Sequence, residues 1–164
     1  MPYSKIVNVV LNSNNKTSGT NNSAQYYVDW GAILKDNVKY KLHFTYMGGA
    51  NTCTGTKIAC LYSDIQTNSN IMNRATSNGA LSTQFFGYLK IQQFAPNVNN
   101  NYLTAEDNTN VPMYLCGRPR NNLFTVSIFD NAVPPVLFLD QNATPAQPAN
   151  YILVLAFQEL GEEY

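Results

Sequence analysis

At 164 residues the chain is sized for one domain with a genuine core, and its hydrophobic content of 45% is ordinary. Its charge is not: Asp, Glu, Lys and Arg make up only 12%, about half the typical ~25%, and ten basic against ten acidic residues leave a formal net charge of zero. Lys and Arg are scattered without a basic run, so the electrostatic footprint of a nucleic-acid binder is missing and no direct nucleic-acid contact is expected.

Asparagine supplies the polarity that charge does not. The sequence holds 23 Asn, clustered at 12–15, 21–22, 68–73 and 97–101. An A/T-rich coding bias would also raise Lys, of which there are seven. Asn tolerates left-handed backbone and caps its own turns, so such clusters mark ordered loops as readily as disorder. A neutral surface of this kind is poor for colloidal solubility and suits a protein whose faces are covered by neighbours.

In chain order, Lys5 to Leu11 is the first strand candidate, followed by an Asn/Ser/Thr/Gly loop through Ser23. Ala24 to Trp30 is the second, rich in Tyr and Val. Gly31 to Asn37 is a short connection with room for one helical turn. From Tyr40 to Met47 the chain alternates, with Tyr40, Leu42, Phe44 and Tyr46 on one face and Lys41, His43 and Thr45 on the other, until Gly48-Gly49 ends it. Lys57 to Ser63 is the fourth strand, and the polar stretch from Asp64 to Ser82 is a long loop. Gln84 to Phe94 is the fifth, with Gly87 marking a bulge or a close approach. A second long loop runs from Ala95 to Asn110. Pro112 to Cys116 and Leu123 to Asp130 are the sixth and seventh strands.

The eighth, Tyr151 to Leu160, is the strongest. No side chain from Tyr151 to Phe157 is charged, and both alternating sets are apolar: Tyr151, Leu153, Leu155 and Phe157 against Ile152, Val154 and Ala156. Pro145 and Pro148 before it and Gly161 after it punctuate it as a strand, and its composition predicts a central strand covered on both faces. It is far short of the roughly 20 apolar residues of a membrane-spanning helix, and no membrane insertion is expected. Eight short strands, no sustained helical periodicity and Gly/Pro/Asn punctuation predict an all-β fold. The expected architecture is an eight-stranded antiparallel jelly-roll sandwich of two Greek keys, a single domain over 1–164 with long loops. An immunoglobulin-like sandwich fits less well, because Trp30 lacks cysteine partners at the required spacing.

Motifs for chemistry are sparse. His43 is the single histidine, and it sits on the polar side of an alternating strand, where a histidine is ordinarily structural or solvent-facing. Cupin-type metal sites need several such ligands, so neither metal nor cofactor is expected. Asp29, Asp64, Asp107, Asp130 and Asp140 lie near strand ends or turns, where Asp is a common turn residue. Neither a nucleophile elbow nor a glycine-rich phosphate loop occurs, and the expectation is no enzyme. Cys53, Cys60 and Cys116 have no metal-ligand spacing; Cys60 and Cys116 fall in apolar strand contexts that favour burial. The opening residues lack the apolar core of a signal peptide, and the sequons at Asn15, Asn21 and Asn142 are what chance gives in an Asn-rich chain.

The run Pro112-Met113-Tyr114-Leu115, then Arg118 to Asp130 with its phrase Asn121-Asn122-Leu123-Phe124-Thr125-Val126-Ser127-Ile128-Phe129-Asp130, then Tyr151 to Leu160, resembles the last three strands of small single-jelly-roll capsid proteins. The opening, Val9 to Asn15 and Gly19 to Val28, is similar to their first two. These are the penton and minor capsid proteins of icosahedral double-stranded DNA viruses, including giant-virus and virophage-like lineages. The resemblance implies a structural tile of the virion that assembles in the host cell with copies of itself and with a larger capsid protein, and it brings no catalytic residues. The aromatic surplus of Tyr26, Tyr27, Trp30, Phe85, Phe86, Tyr88 and Phe94 fits either a large core or such interfaces. The loops 64–82 and 95–110 are the expected contact elements, with Phe94, Tyr102 and Leu103 as anchors. The competing readings are a trimeric receptor-binding domain and a sugar-binding, lectin-like jelly roll, for which Tyr26-Tyr27-Val28-Asp29-Trp30 or Asn100-Asn101-Tyr102 would offer an aromatic beside Asp or Asn.

Overall fold

The computed structural model describes residues 5–49, 58–65, 84–93, 101–105, 113–130 and 150–161. Its strands are β1 (Ile6–Asn12), β2 (Ser18–Thr20), β3 (Ser23–Tyr27), β4 (Lys39–Gly49), β5 (Ile58–Ser63), β6 (Gln84–Gln93), β7 (Asn101–Ala105), β8 (Met113–Cys116), β9 (Leu123–Asp130) and β10 (Tyr151–Glu159). One helical turn, α1 (Trp30–Ile33), separates β3 from β4. The strands form a single antiparallel sheet in the order β1-β10-β4-β7-β6-β5-β9-β3-β2, with β8 also on β4. β4, 11 residues long, makes this branching possible: Lys39–Leu42 pairs β8, Tyr46–Gly49 pairs β7, and β10 runs along its other edge.

The sheet curls, as twisted sheets of this width do, and its inner faces meet. Phe44 of β4 packs on Phe86 of β6 with ring centroids 6.3 Å apart. The Tyr26 hydroxyl of β3 donates to the Tyr151 hydroxyl of β10 at 2.8 Å. The fold is therefore all-β, with the layered core of a β-sandwich. Period-two alternation places that core: Tyr40, Leu42, Phe44 and Tyr46 of β4 are all buried, as are Tyr151, Leu153, Leu155 and Phe157 of β10. Each such burial contributes roughly 1.5–3 kcal/mol. Trp30 closes one end of the core, fully buried between Phe124 and Phe157 at 5.4 Å from each ring, with its indole N–H donating to the Asn121 carbonyl at 3.0 Å.

Several expectations are corrected. Among the described residues ten strands, not eight, form the sheet. β2 lies in what reads as loop, and β7 occupies 101–105 inside the expected loop 95–110, because β4 and β6 offer it hydrogen bonds on both edges. Gly48 and Gly49 belong to β4 rather than to a turn after Met47: both pair with β7, and Gly48 also with Tyr151 of β10. The second strand stops at Tyr27, and Trp30 opens the helical turn. Cys60 is buried as expected, whereas Cys116 is exposed, since β8 alternates and its inward positions are Met113 and Leu115. At Gly87 the expected bulge is present: the β5–β6 register slips between Leu61 and Tyr62, leaving Phe86 as the extra residue aimed into the core.

Candidate functional site

β10 lies between β1 and β4, and its outward side is not covered as its composition predicts. While Leu153, Leu155 and Phe157 are sealed, Ile152 is 47% exposed, and Val154 and Ala156 are half-buried. The registers set these side chains in rows across three strands. Asn12, Ile152 and Met47 form one row; Val10, Val154 and Thr45 the next; then Asn8, Ala156 and His43; then Ile6, Gln158 and Lys41. Neighbours in a row stand about 4.5–5.5 Å apart, so their side chains touch. Val10 and Met47 are 62% and 65% exposed, and Tyr114 of β8, opposite Lys41, continues the face. The result is an apolar band of Ile6, Val10, Met47, Ile152, Val154 and Ala156 interleaved with neutral polar side chains, with one formal charge, Lys41, in its rows. Exposed apolar patches are where proteins commonly meet partners or ligands, which makes this face the candidate site.

At the Ile152 end the band runs into an open groove of about 560 Å³, floored by Met47, Ile152 and Gly48 and rimmed by Asn12, Asn14 and Asn150. Polar bonds fix the rim. Ser13, fully buried in a short 3₁₀ turn, accepts the Tyr151 backbone N–H at 2.9 Å, and the Asn21 amide donates to Asn150 Oδ1 at 3.2 Å. β1, the β2–β3 turn and the start of β10 are tied together there. Gly48 is required by close approach: a Cβ on it would stand 2.5 Å from Tyr151 Cβ and 3.1 Å from the Asn150 carbonyl oxygen.

Beneath the groove lies a tyrosine trio. Tyr46 stacks on Tyr151 with centroids 5.0 Å apart, and Tyr151 accepts the Tyr26 hydroxyl. Burial pushes the Tyr46 and Tyr151 phenols far above the ordinary tyrosine range, with the neighbouring Tyr26 adding to it, and burial raises Tyr26 as well against the bond to Tyr151. At neutral pH the trio is an uncharged pin between β3, β4 and β10.

Of the anchors expected from sequence, Phe94 lies outside the described residues. Tyr102 and Leu103 sit on β7, where Tyr102 is paired with Gly49 and Gln92 and Leu103 with Gly48 and Ile91. Their main chain is thus inside the sheet rather than on a free loop, and their side chains lie outside what is described. The apolar band itself is drawn from β1, β4, β8 and β10. Ile6, Val10 and Met47, which do form it, went unnoticed in the sequence; the signal was the spacing of Ile6 and Val10, four apart on one face of a strand. Trp30 and Tyr26 of the lectin-like constellation are buried, leaving Tyr27 and Asp29 exposed. No family model and no curated protein matches the chain.

Proposed function

We propose that the chain is a structural subunit of an icosahedral virion: a single-jelly-roll penton or minor capsid protein that assembles with copies of itself and with a major capsid protein. The observation that carries this is the exposed, largely uncharged outer face of β1, β10 and β4, with Val10, Met47 and Ile152 standing in the open, on a chain with about half the usual share of charged residues. A tile held on several sides by neighbours needs such a face; a freely soluble monomer is harmed by it. Strand order supports the finer fold. Setting aside the three-residue β2 and the bridging β7, the order contains β1-β10-β4-β8 and β3-β9-β5-β6. These are the two four-strand halves that a pair of Greek keys produces, with first strand beside last. Jelly rolls also serve lectins and cupins, so the function rests on the face and not on the fold.

The groove beside Ile152 favours one second reading, a carbohydrate-binding module, because amide side chains rim an apolar floor. Location separates the two. In purified icosahedral particles the protein should appear as ordered density with rotational symmetry. A protein absent from particles, monomeric at all concentrations and retained on a glycan column would replace the shell assignment with the lectin-like one.

A further inference from the structure

We propose that two copies of this chain pair through their β1 edges, antiparallel about a two-fold axis through Asn8, which joins the two sheets into one. This contact does not depend on the shell assignment. Among the described residues β1 bonds along one edge only, to β10. The Glu159 N–H donates to the Lys5 carbonyl at 2.8 Å, so Lys5 and every second residue after it face β10. By alternation the N–H and C=O groups of Ile6, Asn8, Val10 and Asn12 face the open edge.

An open edge is ordinarily defended by charge, proline or a bulge. Ile6–Asn12 carries no charged residue, no proline and no glycine, and its register with β10 is unbroken. Instead the strand is self-complementary. Ile6-Val7-Asn8-Val9-Val10 has the same apolar and polar pattern in both directions. With Asn8 opposite the second copy's Asn8, Ile6 meets Val10 on the outer face, Val7 meets Val9 on the inner face, and the amide meets an amide. The outward N–H and C=O groups then fall in register, pair by pair. Shifting the axis to Val9 sets Asn8 against Val10 and Asn12 against Ile6, which strands two amides among aliphatic side chains. Val7 and Val9 also face the core yet are only partly buried, as expected of side chains whose second neighbour strand is missing. The pairing extends the apolar band of Val10, Val154 and Ile152 across both copies.

The test is sedimentation of the full chain over rising concentration. The parent should show a concentration-dependent dimer, N8K and N8E should each be monomeric, and their equimolar mixture should restore the dimer, since only the residue on the axis faces its own copy. Asn8 is exposed, so the variants should keep the parent's thermal midpoint. Ile6 and Val10 give an independent set: I6E and V10K should each abolish pairing, while the double variant recovers it through Glu–Lys contacts across the interface. A parent still monomeric at about 1 mM overturns the proposal, as do N8K dimers as tight as the parent's. Failure of both complementary sets to recover dimers refutes the register.

Discussion

On the outer side of β5 and β6, Cys60, Tyr62 and Phe85 form a second apolar cluster, each less than a tenth exposed, with Tyr62 and Phe85 edge to face at 5.7 Å. On the outer side of β1, β10 and β4, side chains of similar character stand in the open: Val10, Met47 and Ile152. The same curled sheet thus hides apolar groups outside its core in one place and displays them in another. Outward apolar residues on β5 and β6 contribute to this chain's own stability, whereas those on β10 and its neighbours add little to it.

The contrast can be tested most strongly at its two extremes. Phe85→Ala should destabilise the fold by roughly 3–5 kcal/mol, while Met47→Ser stays within about 0.5 kcal/mol, both measured by denaturant unfolding. Equal effects would remove the distinction between the faces. Within β10 itself, Leu153→Ala should cost roughly 2–5 kcal/mol and Val154→Ala no more than about 1 kcal/mol. If neither moves the thermal midpoint, β10 is not central. Gly48→Ala, on the boundary between core and groove, should cost about 1–3 kcal/mol, because the new methyl meets the root of the Tyr151 side chain and a backbone carbonyl rather than a movable tip.

One effect is conditional on pH and absent at neutrality. With the trio's phenols raised in the folded state, the native chain holds more protons than the unfolded one above the unfolded value of about 10, so stability falls as pH rises. Below that value the trio gives no slope, and above it each tyrosine contributes up to about 1.4 kcal/mol per pH unit. Thermal midpoints between about pH 9 and 11 should drop, and more shallowly in Tyr46→Phe. A Tyr46→Phe profile parallel to the parent's would place the alkaline sensitivity elsewhere.

Much of the fold was legible because alternation was. In β4 only one of the two sets is apolar, so its inward residues could be named from sequence alone, and they are the buried ones. β10 was recognised as a central strand for its apolar content, but that same content carries no phase. With both sets apolar, period-two reasoning cannot say which side is sealed, and among the described residues none forms a layer over Ile152. β7 was missed because Asn-Tyr-Leu-Thr-Ala in an Asn-rich stretch has little intrinsic strand character; two neighbours with unpaired edges impose it. Trp30 was placed one element too early, since the aromatic content that suggests a strand here fills the end of the core from a helical turn. The candidate face was illegible for a related reason. Its residues come from β1, β4 and β10, and only the pairing registers make them adjacent.

The same registers carry a consequence for the order of events during synthesis. β1 and the first half of β4 are made early, yet both wait for β10, which is made more than a hundred residues later and fits between them, Ile6 opposite Gln158 and Leu42 opposite Phe157. Until that strand leaves the ribosome, the facing edges of β1 and β4 have no native partner and Trp30 lacks one of its two flanking rings. Closure of the sheet is therefore late and slow, as expected where the decisive contacts are far apart in sequence. Nascent chains crowded on one message are most prone to pair with each other during that interval, and a pause upstream of the codon for Tyr151 would lengthen it.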